Sequence, residues 1–252
     1  MSAPLESVSL SEPRFISDLH LAQDQPRTLE RFLRLAGQLS GGELLILGDL
    51  FEYWAGDEET ADGIGATVAA ALRSAAGRGT RVFLMLGNRD VLLGDGFASA
   101  AGASMLADPC RTTLAGVPAL LSHGDAYCTL DIKYQLFRRQ VRDPMWQRAF
   151  LNRPLAERRA IIGQVRQHSE SGKKAMAAEI MDVTPEAIQD ALRQGQARLM
   201  IHGHTHRPDF HHLTLDGQAA ERWVLPDWDF DGEVPRGGYL RISGGRPEVV
   251  AA

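Results

Sequence analysis

The sequence predicts an α/β protein in which two sheets are layered and a helical cap is inserted between strands. Three observations support this fold class. Apolar runs alternate with helical patterns up to Asn88, a helical and strongly basic segment follows His123, and β-rich segments close the chain. Alternation of this kind is typical of sheets with helices packed on them. We expect a single domain over residues 1–252, with the cap at about residues 129–184.

The first part of the chain predicts the order βαβαβ. Pro26 opens a helical pattern that Gly41 and Gly42 end, and Thr60–Gly77 carries a second one. The runs around these helices are continuously apolar, as expected of strands buried on both faces. These runs are Arg14–Ser17, Glu43–Asp49 and Arg81–Leu86.

Short apolar runs predict the remaining strands. They are Ser104–Leu106, Thr112–Ala115, Val117–Ser122, Ala197–Ile201, Phe210–Leu215, Glu221–Leu225 and Tyr239–Ser243. Within the cap, Pro144 and Pro154 break the helical pattern into pieces. Thr184-Pro185 then opens a further helix that stops at Gly195.

Composition excludes several classes of protein. With 252 residues and 44% apolar side chains the chain can bury a core, which excludes a disordered or fibrous protein. No apolar stretch approaches the roughly 20 residues that a transmembrane helix needs. Residues 1–13 lack the regions of a secretory signal, so a cytoplasmic location is expected. Two cysteines, Cys110 and Cys128, are too few for a disulfide framework, and we expect both to be buried and reduced.

The net charge of −5 is unevenly distributed along the chain. Residues 131–174 hold 11 Lys/Arg against four Asp/Glu, a net charge of +7, whereas the rest holds 16 basic and 28 acidic side chains, a net charge of −12. An acidic body beside a basic insert suggests cation binding next to anion binding. Nucleic-acid binding is not expected, because negative charge surrounds the basic segment.

Side chains able to bind a metal follow most of the apolar strands. They are Asp18, His20, Asp49, Asn88, His123, His204 and His206. Because ligands at the carboxyl ends of strands converge at one edge of an α/β sheet, we expect these residues to form one site. Carboxylate, amide and imidazole donors suit Mn2+, Fe2+ or Zn2+, and affinity alone does not choose among them. Seven ligands are too many for one ion, so we expect two ions about 3.5–4 Å apart that share a carboxylate, an arrangement suited to phosphoryl transfer.

Five blocks of this sequence resemble those of the calcineurin-like metallophosphoesterases, in the family's order and over residues 18–206. The blocks are Asp18-Leu19-His20, Gly48-Asp49, Gly87-Asn88-Arg89-Asp90, His123-Gly124-Asp125 and Gly203-His204-Thr205-His206. The resemblance implies the layered fold of this family and two divalent ions bridged by Asp49. It implies one ion held by Asp18, His20, Asp49 and His206, and another held by Asp49, Asn88, His123 and His204.

Arg89 departs from the general pattern of this family, most of whose members have a histidine after the asparagine. An arginine stays cationic and makes bidentate contacts with phosphate, but it cannot donate a proton near neutral pH. Since a phosphate leaving group needs little protonation, Arg89 favours cleavage of a diphosphate over hydrolysis of a monoester. We expect Asp90 and Asp125 to orient Arg89 and His123.

Further segments are similar to the UDP-2,3-diacylglucosamine hydrolases within this family. The segments are Phe51-Glu52-Tyr53-Trp54, Ser122-His123-Gly124-Asp125 followed by Cys128-Thr129 and Asp131, and Ile180-Met181-Asp182-Val183. The resemblance implies water attack on the α-phosphorus of UDP-2,3-diacylglucosamine, which gives UMP and 2,3-diacylglucosamine 1-phosphate for lipid A synthesis. It implies two ions, usually Mn2+, and a peripheral protein on the cytoplasmic face of the inner membrane. The catalytic residues it implies are Asp49, Asn88, Arg89, His123 and His204.

The substrate contacts of the family carry over in part. The matching positions are Asn88, Arg89, Asp131, Ser169 and His204. At two further cap positions the family commonly has an asparagine and a lysine, where this chain has Lys173 and Met176. We expect these two residues to contact the substrate, with Lys174 as the nearest replacement cation.

The cap combines apolar side chains with arginines, which suits a lipid-linked nucleotide at an anionic membrane surface. The side chains expected to line an acyl groove are Trp146, Phe150, Leu151, Leu155, Ile161, Ile162 and Val165. The alternative is that they pack the cap on the body and that the arginines form a solvated face.

Two other functions stay open at this point. Hydrolysis of a soluble nucleotide or phosphodiester fits the same metal ligands. A scaffold that has lost catalysis and binds protein partners is a different class of function, but the complete set of ligands argues against it. No obligate protein partner is expected.

Overall fold

Two sheets form the body of the protein, as predicted. The computed structural model describes residues 5–173, 180 and 182–252, with the side chains of all of these except 167–173. The strands are β1 (Pro13–Ile16), β2 (Glu43–Leu47), β3 (Arg81–Met85), β4 (Ala103–Leu106), β5 (Cys110–Leu114), β6 (Val117–Leu121), β7 (Leu199–His202), β8 (Asp209–Leu215), β9 (Gln218–Val224), β10 (Gly238–Ser243) and β11 (Arg246–Ala251). The helices are α1 (Pro26–Gln38), α2 (Gly63–Gly77), α3 (Asp95–Ala101), α4 (Ile132–Val141), α5 (Pro144–Leu151), α6 (Leu155–Lys173) and α7 (Pro185–Gly195).

The strand order brings several strand ends to one side of the body. The six-stranded sheet has the order β11-β10-β1-β2-β3-β4, in which β1 to β4 are parallel. The five-stranded sheet has the order β5-β6-β7-β9-β8, in which β6, β7 and β9 are parallel. The carboxyl ends of the parallel strands therefore open onto a shared edge, which is where the predicted ligands lie.

The hydrophobic core lies between the sheets and under the helices. In β2, Leu45 and Leu47 pack into the cluster between the two sheets, whereas Leu44 and Ile46 pack with α1, α2 and α3 on the outer face. Since successive side chains of a strand point to opposite faces, a strand covered on both sides is apolar at every position. The continuous apolar runs therefore predicted the central strands correctly.

One helix and one strand of the structure were not predicted from the sequence. The helix α3 has only seven residues. At the start of this helix the backbone N–H groups of Gly94 and Gly96 donate hydrogen bonds to Asp57, which is far away in the chain, at 2.9 and 2.8 Å. The strand β11 follows Gly244 and Gly245, both at positive φ, a turn signal that would have predicted the hairpin with β10. The helix expected from Thr60 begins at Gly63, because a 3-10 turn precedes it.

The cap helix α6 is fastened to the body by arginines. Arg158 is 1% exposed, donates a hydrogen bond to the carbonyl oxygen of Ala55 and pairs with Glu58. Arg159 pairs with Glu59 at 2.8 Å. Part of the basic charge of the cap therefore docks it on the acidic body.

The apolar side chains of the cap divide into two sets. Trp146, Phe150, Ile161 and Ile162 pack against the core of the body. Packing of the cap on the body, the alternative to an acyl groove, describes these four side chains. Leu151 and Val165 remain 37% and 43% exposed. Other exposed apolar side chains surround the start of the cap, namely Leu130, Ile132, Leu136, Phe137 and Met145.

Two further sequence predictions concern the cysteines and membrane-spanning segments. Cys110 and Cys128 are buried and are not joined in a disulfide bond, as predicted. Among the residues that the structure describes, none of the helices is both long and apolar enough to cross a bilayer.

Arg158 generates the first prediction. In Arg158→Ala the buried carbonyl of Ala55 loses its donor, so we expect the free energy of unfolding to fall by about 1–3 kcal/mol. Denaturation with guanidinium chloride measures this change. Arg153→Ala is the control, because the Arg153–Glu157 pair is half exposed and its loss is expected to cost less than about 1 kcal/mol. Equal losses in the two variants would contradict the docking role of Arg158.

Candidate metal centre

The turns after five strands bring the seven predicted ligands to one edge of the body. Asp18 and His20 follow β1, Asp49 follows β2, and the others follow β3, β6 and β7. The ligand atoms form two groups, and the atoms within each group lie within 4.8 Å of one another. The groups are Asp18, His20 and His206, and Asp18, Asp49 and His123.

Asp49 belongs to the second group and also lies near His20 of the first. Its Oδ2 atom is 3.8 Å from Nε2 of His20, and its Oδ1 atom is 3.7 Å from Nε2 of His123. Oδ1 of Asn88 is 3.1 Å from the same His123 nitrogen. The ring centroid of His204 is 5.1 Å from that of His123, and its backbone N–H donates to Asp18 at 2.8 Å. This geometry suits a carboxylate shared by two ions.

The backbone of the centre is strained. Eight non-glycine residues in the described chain have positive φ, and five of them are predicted ligands. The five are Asp18, His20, Asp49, His204 and His206, with φ between 50° and 68°. Such conformations cost free energy and concentrate at functional sites, where the surrounding structure enforces them.

Glycines make room for the carboxylates. A Cβ atom on Gly87 would overlap the carboxylate of Asp49, and one on Gly203 would overlap that of Asp18. Both substitutions would therefore displace a predicted ligand.

Oxygen atoms close to Nδ1 orient three of the histidines. Nδ1 of His123 lies 2.9 Å from the carbonyl oxygen of Leu47, which can only accept, so Nδ1 carries a proton and Nε2 is the nitrogen that faces the centre. Nδ1 of His20 is 2.8 Å from Oε2 of Glu52. Nδ1 of His206 is 3.4 Å from Oδ2 of Asp227. Partners of this kind fix the ring and tautomer of a metal-ligating histidine.

The charges at the centre favour a cation. Burial raises the pKa of Asp18, but its contact with His206 and the charges of His123, His206 and His20 outweigh burial, so its pKa lies well below the usual range. Burial lowers the pKa of His123, but the charges of Asp49, Asp18 and Asp125 raise it to about 9. The negative potential that favours a protonated imidazole favours a metal cation at the same point.

The donor atoms fit a divalent metal. Oδ1 of Asp18 is buried, accepts no hydrogen bond of ordinary geometry and faces Nε2 of His206 at 3.5 Å. The Nε2 atoms of His20 and His206 lie 3.3 Å apart. Converging imidazole nitrogens beside a carboxylate oxygen without a hydrogen bond are the donor set expected around Mn2+, Fe2+ or Zn2+.

Asp90 and Asp125 act differently from what the sequence predicted. Asp90 accepts hydrogen bonds at 2.8–3.3 Å from the backbone N–H groups of residues 49, 50, 51 and 87, and so holds the turn that carries Asp49. Burial and the charge of Asp49 raise the pKa of Asp90 to about 6. Asp125 accepts from Tyr134 Oη at 2.6 Å and from Arg138 Nε at 2.9 Å. It therefore joins α4 to the centre.

Arg89 lines a cleft beside the predicted ligands. The cleft has a volume of about 300 Å³ and is also lined by His20, His206, Arg166 and Arg236. The backbone N–H of Arg89 donates to the carboxylate of Asp49 at 2.8 Å. A guanidinium on the wall of this cleft is placed to bind phosphate.

The predicted substrate contacts in the cap are described in part. Asp131 accepts a hydrogen bond at 2.9 Å from the backbone N–H of Tyr134 and so caps α4. Ser169 and Lys173 belong to α6, but their side chains lie outside the described residues, as does Met176.

The comparisons with known proteins agree with this centre. The family model of calcineurin-like phosphoesterases matches residues 14–208, which is more than half of the chain. The chain belongs to the calcineurin-like phosphoesterase family. The resemblance inferred from the five blocks is thereby confirmed, and the two-sheet fold is the one expected of this calcineurin-like phosphoesterase.

Its relatives match over nearly the whole chain. It is 48% identical over 237 residues to the UDP-2,3-diacylglucosamine hydrolase of Aromatoleum aromaticum, covering 93% of this chain and 94% of the relative. It is 44% identical to the hydrolase of the same name from Bordetella pertussis, over 95% of each chain. That of Marinobacter nauticus is 46% identical over 85% of this chain and 88% of the relative. Among solved structures, an archaeal phosphodiesterase aligns with a TM-score of 0.46 at 9% identity, over 96% of this chain and 100% of that one.

Two residues of the centre were missed by the sequence analysis. Glu52 and Asp227 contact His20 and His206; Glu52 lies five residues after β2, and Asp227 lies three residues after β9. Glu52 lies in the segment Phe51–Trp54, which carries part of the family resemblance but predicted no role for Glu52 itself. Asp227 follows β9 at the spacing at which Asn88 follows β3, and this position is the signal that could have found it.

Asp90 generates the second prediction. In Asp90→Asn one acceptor oxygen becomes an amide that faces backbone N–H groups, so we expect the free energy of unfolding to fall by about 1–3 kcal/mol. Urea denaturation of the metal-free protein measures this change. Asp95→Asn, at an exposed position in the first turn of α3, is expected to cost less than about 1 kcal/mol. An unchanged midpoint for Asp90→Asn would refute the proposed support of the Asp49 turn.

Proposed function

We propose that this chain hydrolyses UDP-2,3-diacylglucosamine to UMP and 2,3-diacylglucosamine 1-phosphate, a step of lipid A synthesis. The observation that carries the proposal is the 48% identity to a hydrolase of this name over 93% of the chain. The converging carboxylates and histidines supply the metal centre that such a reaction needs. Arg89 on the cleft wall supplies the cation for a diphosphate.

Each side chain has a role in this proposal. Two divalent cations, for which we propose Mn2+, would lower the pKa of a water and offset phosphate charge when bound. Asp49 is the shared ligand. The proposed ligands of one cation are Asp18, His20, Asp49 and His206, and those of the other are Asp49, Asn88, His123 and His204. Arg89 binds the diphosphate through its guanidinium group.

The products leave in a defined direction in this proposal. Water attacks the α-phosphorus, so the sugar phosphate departs and the nucleotide keeps the new oxygen. A phosphate leaving group needs no proton from Arg89, whose guanidinium stabilises the developing charge. The sugar phosphate leaves toward the cap, where the proposed contacts are Asp131, Ser169, Lys173 and Met176.

Hydrolysis in 18O-labelled water tests the reaction, and this is the third prediction. We expect cleavage of UDP-2,3-diacylglucosamine with Mn2+, loss of cleavage with EDTA and recovery when Mn2+ is restored. Mass spectrometry should find the label in UMP. In Asp49→Ala we expect turnover to fall by at least about 100-fold, since loss of outer partners of a metal ligand alone costs 10- to 100-fold.

Three outcomes would contradict this proposal. Label in the sugar phosphate would place the attack at the other phosphorus. Full turnover of Asp49→Ala at saturating Mn2+ would contradict the proposed centre. Cleavage of a soluble nucleotide or phosphodiester without cleavage of the lipid substrate would favour the alternative function.

We further propose that the cap holds this protein at the cytoplasmic face of the inner membrane. Ile132 and Leu136 are 65% and 56% exposed on one face of α4, and Met145 at the start of α5 is 72% exposed. Lys133 and Arg148 are exposed on the same two helices. Exposed apolar side chains beside cations suit an anionic lipid surface.

Vesicle binding tests the membrane proposal, and this is the fourth prediction. In Ile132→Ser/Leu136→Ser we expect partition into phosphatidylglycerol-containing vesicles to fall about 10-fold or more, because each side chain contributes roughly 1.5–3 kcal/mol on burial. Sedimentation without substrate measures the bound fraction. Val234→Ser is the control, because Val234 is 72% exposed outside the cap. An unchanged bound fraction in the double variant would rule out this face of α4 as the membrane contact.

A further inference from the structure

Glu52 contacts three functional elements at once. Its Oε2 atom lies 2.8 Å from Nδ1 of His20, on the turn after β1. Its Oε1 atom lies 3.2 Å from Nη1 of Arg89, on the turn after β3, and 2.6 Å from Nη2 of Arg166, on the cap helix α6. The two oxygens are therefore divided between a predicted metal ligand and two arginines of the cleft.

The surroundings of Glu52 keep it ionised. Burial raises its pKa, but the bond with His20 and the charges of His20, Arg89 and Arg166 lower the pKa to about 2. The side chain is 13% exposed, so solvent screens these contacts little. Hydrogen bonds that share an ionised acceptor are stronger than neutral ones and depend on one another.

We propose that Glu52 is a positioning residue that couples docking of the cap helix α6 to cation binding at His20. A carboxylate at Nδ1 fixes the ring so that Nε2 points into the centre. The position of that carboxylate is in turn fixed by Arg166 from the cap. Coupling of this kind is reciprocal, so a bound cation also favours the docked α6. The inference rests on the proposed function in taking His20 as a cation ligand.

Docking of the cap does not itself require Glu52. Arg158 pairs with Glu58 and Arg159 with Glu59 on the same helix. Neither of these glutamates contacts a predicted metal ligand among the residues that the structure describes. What distinguishes the pair of Glu52 and Arg166 is the contact of Glu52 with His20. Arg159 therefore offers a matched control for Arg166, since both pairs join α6 to a body glutamate.

Mn2+ binding and amide exchange of α6, both without substrate, test the coupling, and this is the fifth prediction. In Glu52→Gln we expect Mn2+ affinity by calorimetry to fall about 10- to 100-fold, the usual cost of losing the partner of a ligating histidine. Mn2+ should slow exchange in residues 155–166 of the wild type and should not do so in Glu52→Gln. Arg166→Ala should weaken Mn2+ binding as well, although it leaves the centre itself unchanged.

The control separates coupling from general docking. Arg159→Ala should speed exchange in α6 but leave Mn2+ affinity within about twofold, since neither Arg159 nor Glu59 contacts a predicted metal ligand. Wild-type Mn2+ affinity in Glu52→Gln, or equal weakening by Arg159→Ala and Arg166→Ala, would overturn the proposal. If Glu52→Gln does not fold, the two arginine variants decide the question. Because no readout uses substrate, the result is independent of whether the proposed hydrolysis is correct.

Discussion

The architecture depends on burying two carboxylates side by side at one edge of the sheets. Asp18 and Asp49 are 0% and 1% exposed, and like charges in a poorly solvated site repel unless cations compensate them. The histidines around them, the glycines that make room and the turns at positive φ all serve this placement. Asp90 adds a third buried carboxyl, held by backbone N–H groups, beneath the turn of Asp49. A divalent cation relieves the repulsion that this arrangement builds up.

The same compensation of charge determines how the cap attaches. The segment that contains the cap is strongly basic and the body is acidic, so docking neutralises both. Three arginines of α6 form ion pairs with glutamates of the body, namely Arg158, Arg159 and Arg166. Arg138 of α4 forms an ion pair with Asp125. What is left at the far end of the cap is the exposed apolar face of α4 with Lys133 beside it. The cap therefore has one face that binds the body and another that suits lipid.

The sequence predicted the features that depend on local pattern and missed those that depend on distant contacts. Strands buried on both faces are continuously apolar, and ligands follow them directly, so the sheets and the convergence of the seven ligands were predictable. The helix α3 was not, because its start is capped by Asp57 from another part of the chain. Glu52 was missed because its partners come from turns far away in sequence, whereas Asp227 follows β9 and was missed although the local pattern pointed to it. Trp146 and Phe150 show the converse, since apolar side chains in a cap pack on whatever surface lies beneath them.

The two histidines at the mouth of the cleft share one arrangement. Nδ1 of His20 faces Glu52, which pairs with Arg89 and Arg166, and Nδ1 of His206 faces Asp227, which pairs with Arg236 at 2.8 Å. In each case a carboxylate orients a predicted ligand and also holds an arginine on the wall of the same cleft. An anionic substrate that approaches these arginines competes with the carboxylates for them. In the proposed function, binding of phosphate on both walls would therefore be linked to the orientation of the two predicted imidazole ligands, and Glu52 would extend that link to the cap.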